Sequence, residues 1–361
     1  MDMSRKKPQF PTTDALTVYL KNFGRSASLP IHYEDLINYD GGIAVLDQND
    51  NDTLWRSVFY QDSEQQRIHE ALLRIYALLK TDGDLSFTGQ LRVDRIDHCL
   101  FGNSNPFRIR IANQINDNHD YYYIKKTDAS RIYGLEFEHI LSPNRIGYLV
   151  DGKTMIEEHI AGIPGDIFIA HHMDRPNFSR IRMAKEFVKF NERCFVMLLG
   201  DMRSYNYVVV VTPDFDMEQY RVRPIDFDQL TYEGRKNHYM PQFYKENLSV
   251  VQFCMEVLTP ETVAQYQAEE RTLIKRRYDF AQKRIRALLS CMEGQPLSSP
   301  EKIKSLREDM DKYYQTSAFS KLESMGAILR LHLASILNKT EKQVVHGKTA
   351  YKTADWTMDY E

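Results

Sequence analysis

Short apolar runs separated by polar turns fill the segment from about 91 to 160, a pattern that predicts a sheet of short strands. The predicted strands run from Leu91 to Leu100, Phe107 to Ala112, Tyr121 to Ile124, Arg145 to Val150 and Met155 to Ile160. Between the third and the fourth, residues 129–141 place Ile132, Leu135 and Ile140 at helical spacing. The predicted order is therefore strand, strand, strand, helix, strand, strand.

The rest of the chain has a different pattern on each side of this segment. One helix is predicted within the polar first part, where Ser63 and Gln66 form a capping-box pattern. Helices dominate after 161, apart from a β region at 195–228. We therefore expect an α+β protein with an N-terminal accessory region at 1–90, a mostly β region at 91–162, a helical region at 163–338 and a flexible tail at 339–361.

Charge and composition narrow the class of protein. The 361 residues include 47 Lys and Arg against 50 Asp and Glu, so the net charge of −3 creates no field that attracts nucleic acid or anionic lipid. The first twenty residues lack the apolar core of a signal peptide, and no run approaches the ~18 apolar residues of a membrane span. Four scattered cysteines form no CxxC pair. We expect a cytoplasmic protein with neither a nucleic-acid nor a membrane partner.

The strongest chemical signal is the loop LGDMRSYN at 199–206, followed by a valine-rich run and then by PIDFDQ at 224–229. A carboxylate at Asp201 and an amide at Asn206 can face one cavity across a tight turn, and the next strand can deliver the carboxylate of Asp226. Two carboxylates and an amide are oxygen ligands that suit Mg²⁺ and its bound phosphates. Either motif alone is usually an ordinary polar turn, but together they bracket a predicted β-hairpin.

This order of motifs resembles the protein-kinase-like phosphotransferases, in particular the aminoglycoside and choline kinase-like branch, whose catalytic loop HGDxxxxN precedes an ID[FW] motif. The resemblance implies that Asp201 is the catalytic base and that Asn206 and Asp226 bind magnesium. Arg203 would stabilise charge on the transferring phosphate, or would be a surface arginine. ATP and Mg²⁺ are the implied cofactors.

The same resemblance assigns residues upstream. The loop FGNSNPF at 101–107 is similar to a short phosphate loop, which makes Gly102, Ser104 and Asn105 candidates for ATP binding. Lys125 in the third strand would pair with the α and β phosphates. Lys126 points to the opposite face of that strand and remains an alternative.

The helix after that strand would supply the glutamate that pairs with the lysine. Glu136 precedes Ile140 by four residues, the usual family spacing, and is preferred over Glu138, although either could lie on a solvated face. The following strand and hinge, with Glu158 and Ile160, would hold adenine through backbone hydrogen bonds.

Taken together, the motifs predict a two-lobed protein-kinase-like fold, with a small antiparallel β lobe carrying one helix, a helical large lobe and an N-terminal extension. The predicted activity is transfer of the γ-phosphoryl group of Mg-ATP to a hydroxyl of an unidentified small molecule or protein. Leu199 stands where the family has histidine, and the phosphate loop is poor in glycine. These departures keep open a pseudokinase that binds nucleotide or protein with little or no turnover, and a purely structural helical scaffold is a third hypothesis.

Overall fold

The computed structural model describes residues 7–47, 49–101, 104–215 and 217–344. It is an α+β protein, about 49% helical, in which the described residues form 11 α-helices. The helices are α1 (Asp14–Asn22), α2 (Tyr33–Leu36), α3 (Asp62–Thr81), α4 (Ala129–Leu141), α5 (Gly165–His171), α6 (Arg180–Met197), α7 (Leu248–Val257), α8 (Pro260–Phe280), α9 (Gln282–Glu293), α10 (Pro300–Tyr314) and α11 (Met325–Val344).

The strands lie in two antiparallel sheets. In chain order they are β1 (Gly41–Leu46), β2 (Asp52–Phe59), β3 (Leu91–Cys99), β4 (Phe107–Asn113), β5 (His119–Lys126), β6 (Tyr148–Asp151), β7 (Thr154–Glu158), β8 (Ile163–Pro164), β9 (Tyr207–Asp214) and β10 (Met217–Pro224). The larger sheet has seven strands in the order β1-β2-β3-β4-β5-β7-β6, and the smaller has three in the order β10-β9-β8. The predicted succession of three strands, one helix and two strands is confirmed by β3, β4, β5, α4, β6 and β7.

Two compact units are formed by interleaved parts of the chain. The first comprises residues 1–129 and 146–159, and the second comprises residues 130–145 and 160–361. The predicted accessory region and most of the predicted β region thus share one unit, because β1 and β2 extend the sheet that begins with β3. From Ser130 onward, α4 belongs to the second unit.

The core of the first unit lies between the seven-stranded sheet and α3. Ile68, Leu72 and Ile75 of α3 are buried against a sheet face that includes Tyr122 and Ile124 of β5. The Tyr122 hydroxyl donates to the Leu72 carbonyl oxygen at 2.8 Å, so the polar end of this buried ring is satisfied. Apolar side chains at helical spacing on α3 therefore meet alternate residues of β5.

The helix α3 begins before Ser63, the residue predicted to cap it. The helix begins at Asp62, its N-cap is Gln61, and no capping side chain bonds to the first turn, so Ser63 does not form the predicted capping box. Asp40 instead accepts hydrogen bonds from both the backbone N–H and the side-chain amide of Gln61. A residue distant in the sequence therefore fixes the entry to this helix.

The long helix α6 lies at the centre of the second unit. Most of its C-terminal half is buried, and it ends at Met197, followed by Leu198 in a left-handed conformation with φ 52°. The β9–β10 hairpin begins after the loop at 199–206, as predicted, and β8 pairs with β9. This arrangement places the loop at 199–206 between the end of a rigid helix and the start of a strand.

The last described helix, α11, continues past Asn338, where the flexible tail was predicted to begin. The remainder of that predicted tail, 345–361, lies outside the described residues. In the part of the chain that the structure describes, no helix combines the length and the apolarity needed to cross a lipid bilayer.

Candidate functional site

Leu199, which stands where the kinase-like pattern has histidine, packs as a core residue. Its side chain is 1% exposed, its N–H donates to the Cys194 carbonyl at 2.9 Å, and its backbone bridges to Leu230. The next residue, Gly200, donates its N–H to the Gln229 carbonyl at 3.2 Å. Apolar packing and backbone hydrogen bonds therefore hold the start of the loop.

The backbone of Asp201 has φ 57°, a left-handed conformation that costs energy in a residue with a side chain and is concentrated at functional sites. Its N–H donates to the Tyr244 hydroxyl at 2.9 Å, and its carbonyl oxygen accepts from Asn206 Nδ2 at 2.7 Å. Asn206 Nδ2 also lies 3.3 Å from Asp201 Oδ2, so the amide contacts both the backbone and the carboxylate of the aspartate.

Arg203 bridges two acidic side chains in the same loop region. Its Nε donates to Asp201 Oδ1 at 2.8 Å, and its Nη1 donates to Glu246 Oε1 at 2.9 Å. Burial raises the pKa of the Asp201 carboxyl above its usual 3.8, although the hydrogen bond and charge of Arg203 act in the opposite direction. Burial disfavours the charged guanidinium, but Asp201 outweighs it and the pKa of Arg203 is raised. Arg203 is therefore held beside the predicted base.

Asp226 is brought to this loop by the β9–β10 hairpin. The N–H of Ile225 donates to the backbone oxygen of Asn206 at 3.0 Å, which joins the two predicted metal-binding segments directly. The Asp226 side chain is 32% exposed, and Asn206 is half-buried. Because Nδ2 of Asn206 donates to Asp201, the amide Oδ1 is the atom that would act as a ligand.

The Asp226 carboxylate and Asn206 Oδ1 are of the ligand type that a magnesium ion prefers. Carboxylate and amide oxygens, completed by water and phosphate oxygens, are the usual ligand set of Mg²⁺ in phosphoryl-transfer sites. Among the described residues, no group of three or more His, Cys, Asp and Glu side chains is arranged as a metal cage. A cation at Asn206 and Asp226 would thus complete its ligand set with water, and with phosphate oxygens when a nucleotide is bound.

Arg131 of α4 is a residue that sequence reasoning missed. Its Nη1 donates to Asp226 Oδ1 at 3.1 Å and to Asp228 Oδ1 at 2.9 Å, and its Nη2 donates to the Ile225 carbonyl at 3.2 Å. No local pattern marks Arg131, because its partners lie more than ninety residues away in the sequence. Only the fold reveals the contact.

Glu136 and Glu138 of α4 are both buried in the second unit. Glu136 accepts a forked pair of hydrogen bonds from Arg284, with Nη2 at 2.9 Å from Oε1 and Nε at 3.0 Å from Oε2. Glu138 accepts from the Asn144 amide at 3.4 Å, and burial raises its pKa. Glu136 therefore has a cationic partner within its own unit, and its predicted pairing with Lys125, which belongs to the first unit, remains a prediction.

Lys125 and Lys126 occupy opposite faces of β5. Lys125 Nζ lies 3.1 Å from Glu157 Oε2 of β7, and both side chains are nearly inaccessible. Lys126 Nζ lies 5.1 Å from the ring centroid of Tyr33, on the face that α3 covers. Lys125 thus lies on the face of β5 opposite to the core of the first unit, and its predicted contact with the α and β phosphates remains a prediction.

The predicted phosphate loop follows β3. Gly102 lies outside the described residues, and Ser104 is half-buried. Asn105 has φ 40°, its carbonyl oxygen accepts from the Tyr33 hydroxyl at 2.9 Å, and its amide donates to the Cys99 carbonyl at 3.2 Å. The N-terminal segment therefore contributes to holding this loop.

The predicted adenine hinge lies at the end of β7. Glu158 Oε2 accepts from the Gly147 N–H at 2.7 Å, and its other oxygen lies 3.2 Å from Lys80 Nζ. Ile160 is 6% exposed. The side chain of Glu158 thus ties β7 to its neighbours, whereas the predicted adenine contacts involve backbone groups.

No protein family model matches this chain, and no curated protein matches it in sequence.

Proposed function

We propose that the chain is a Mg-ATP-dependent phosphotransferase of two-lobed, kinase-like fold that transfers the γ-phosphoryl group to a hydroxyl. The first unit would serve as the small lobe and the second as the large lobe. The single observation that carries the proposal is the backbone hydrogen bond from Ile225 to Asn206 at 3.0 Å. It brings the Asp201 to Asn206 loop and the Asp226 segment together, although the two are separated by a complete hairpin.

In the proposed reaction, the acceptor hydroxyl oxygen forms a bond to the γ-phosphorus, and the bond from that phosphorus to the β,γ-bridging oxygen breaks. The carboxylate of Asp201 takes the hydroxyl proton, and ADP leaves. Asn206 and Asp226 would hold the magnesium ion, which supplies charge neutralisation of the phosphate oxygens when bound. Arg203 orients Asp201, and Lys125 is the proposed partner of the α and β phosphates.

ADP release from Mg-ATP tests the activity. Asp201→Asn should lower the rate at least ~100-fold, because general-base catalysis typically contributes about 10²- to 10⁴-fold, while ATP binding should persist. Asp214→Asn is the matched control, since this β9 carboxylate is also partly exposed and pairs with an arginine. Equal activity of wild type and Asp201→Asn would refute the assignment of the base.

A second candidate is a nucleotide-binding module without turnover. It is favoured by Leu199, which is a buried core residue at the position where the kinase-like pattern has histidine. It predicts that Mg-ATP raises the unfolding temperature of wild type but not of Asp226→Ala, with no ADP formed. ADP release that depends on Asp201 would exclude this candidate.

A further inference from the structure

An ion cluster that includes Arg131, Asp226 and Asp228 links α4 to the segment that carries Asp226. The guanidinium of Arg131 contacts Asp226, Asp228 and the carbonyl of Ile225, and the Arg131 side chain is only 4% exposed. A planar guanidinium presents its donors in a rigid fork, so contacts to three groups at once define its position. The cluster is therefore a buried, well-defined part of the second unit rather than a surface ion pair.

The two aspartates of this cluster differ in exposure. The Asp228 side chain is 9% exposed, whereas that of Asp226 is 32% exposed. Asp226 Oδ1 accepts from Arg131 Nη1 at 3.1 Å and from the Asp228 N–H at 3.1 Å. Two donors on one oxygen fix the plane of the Asp226 carboxylate, and Asp228 lies deeper beside the arginine.

Two uncharged contacts join α4 to the same segment. The Ser130 hydroxyl donates to the Asp228 carbonyl at 2.9 Å. A Cβ added at Gly134 would lie 2.8 Å from both Cβ and the carbonyl oxygen of Phe227, so only glycine permits this approach without a shift. Residues one helical turn apart on α4 therefore hold positions 227 and 228.

We infer that Arg131 is a positioning residue that presents Asp226 to a divalent cation, and that Asp228 anchors Arg131 and is not itself a ligand. This inference rests on the proposed function, which supplies the cation. The contact with Arg131 thus gives Asp228 a role other than that of a metal ligand.

The experiment is a titration of the full chain with Mn²⁺ alone, in which electron paramagnetic resonance measures the free ion. Asp226→Asn should abolish site binding. Arg131→Lys keeps the charge but loses the fork, and it should weaken binding about tenfold, as expected for residues that orient metal ligands. Asp228→Asn should weaken binding to a similar extent, and the double variant should be no weaker than the worse single one. Arg286→Lys, at an exposed arginine, is the control.

A second variant tests the link without changing a charge. Gly134→Ala should displace Phe227 and lower Mn²⁺ affinity several-fold, whereas Gly294→Ala, whose added Cβ meets only one atom at 3.9 Å, should not. Thermal unfolding of each variant is measured in parallel. A purely structural role would lower the unfolding temperature and leave the affinity of the folded fraction unchanged.

The outcomes separate this inference from the proposed function. If wild type binds no Mn²⁺, the proposed metal site and the inference both fail. If wild type binds Mn²⁺ but Asp228→Asn loses binding as completely as Asp226→Asn, or Arg131→Lys binds as tightly as wild type, only the inference fails. If Arg131→Lys does not fold, the comparison of Asp228→Asn with Asp226→Asn still decides.

Discussion

Tyr244 is the residue that holds the strained Asp201 backbone from outside its loop. Its hydroxyl accepts from the Asp201 N–H at 2.9 Å and donates to the His238 carbonyl at 2.7 Å. Tyr244→Phe removes the acceptor of this partly buried N–H, and a hydrogen bond of this kind typically contributes about 0.5–1.5 kcal/mol to stability. We expect urea unfolding to show a loss of that order and ADP release to fall, because the loop that carries Asp201 loses a support.

Tyr278→Phe, at a half-buried tyrosine of α8, is the control for this prediction. It should leave both measurements close to wild type. Equal stability and activity of Tyr244→Phe and wild type would show that the hydrogen bond to Asp201 has no role in holding the loop.

Arg284 of α9 and Glu136 of α4 form an ion pair with two hydrogen bonds. The Glu136 side chain is fully buried and the Arg284 side chain is 22% exposed. Arg284→Met leaves the carboxylate without this cation, and breaking a buried pair costs about 3–5 kcal/mol. We expect urea unfolding at pH 7 to report that loss.

A double variant, Glu136→Gln with Arg284→Met, should be more stable than Arg284→Met alone because no buried charge remains. Arg286→Met, at an exposed position of α9, the helix that carries Arg284, is the matched control. A double variant less stable than the single one would contradict this account of the pair.

For single residues, the sequence predicted contacts correctly where the two partners lie a few positions apart in the chain. The five-residue separation of Asp201 and Asn206 predicted that both belong to one loop, and the hydrogen bonds between them agree. Arg131 and Arg284 could not be predicted, because each acts on a partner far away in the chain. An arginine on a helix usually indicates only a solvated face.

Among the elements, α4 was predicted with both ends correct, at Ala129 and Leu141. Its apolar side chains recur at helical spacing, and this pattern is local. The start of α3 was predicted wrongly because Asp40, not Ser63, holds the residue that precedes the helix. Periodicity thus locates an element, whereas its boundary can depend on a distant hydrogen bond.

His332 connects α11 to α6 and makes their packing sensitive to acid. Its Nε2 lies 2.9 Å from the Phe195 carbonyl, its Nδ1 lies 2.9 Å from the Tyr314 hydroxyl, and burial lowers its pKa from 6.5 to about 3. Between pH 6.5 and pH 3, His332 therefore binds a proton in the unfolded chain but not in the folded chain. Stability falls as the pH drops from 6.5 toward 3, by about 2 kcal/mol at pH 5 from this group.

Urea unfolding at pH 7 and pH 5 measures this effect. His332→Gln cannot titrate, so its stability difference between the two pH values should be smaller than that of wild type by about 2 kcal/mol. His171→Gln, at an exposed histidine of α5, should behave as wild type. The same pH dependence in His332→Gln and wild type would show that His332 is not the group responsible.

In the whole molecule, the sequence divided the chain into consecutive regions, whereas the compact units interleave. Composition changes along the chain cannot show that α4 belongs with later helices, because that depends on contacts such as the one between Glu136 and Arg284. For the same reason, no sequence pattern indicated that β1 and β2 extend the main sheet.

This division predicts how fragments of the first unit behave. Residues 1–129 lack β6 and β7, and β7 pairs with five residues of β5, from Tyr122 to Lys126. We expect this fragment to show no cooperative urea transition, since an unpaired β5 exposes a row of backbone groups. A chain in which a flexible Gly/Ser linker replaces 130–145, ending at 159, should unfold cooperatively. The opposite result would contradict the division into units.

The interleaved chain also has a consequence for synthesis on the ribosome. Residues 130–145 emerge long before Asp226 and Arg284, the groups that α4 binds. A nascent chain that ends near residue 160 can complete its sheet but carries a helix whose buried partners have yet to be translated. Final docking of this helix must therefore wait until at least residue 284 has left the exit tunnel.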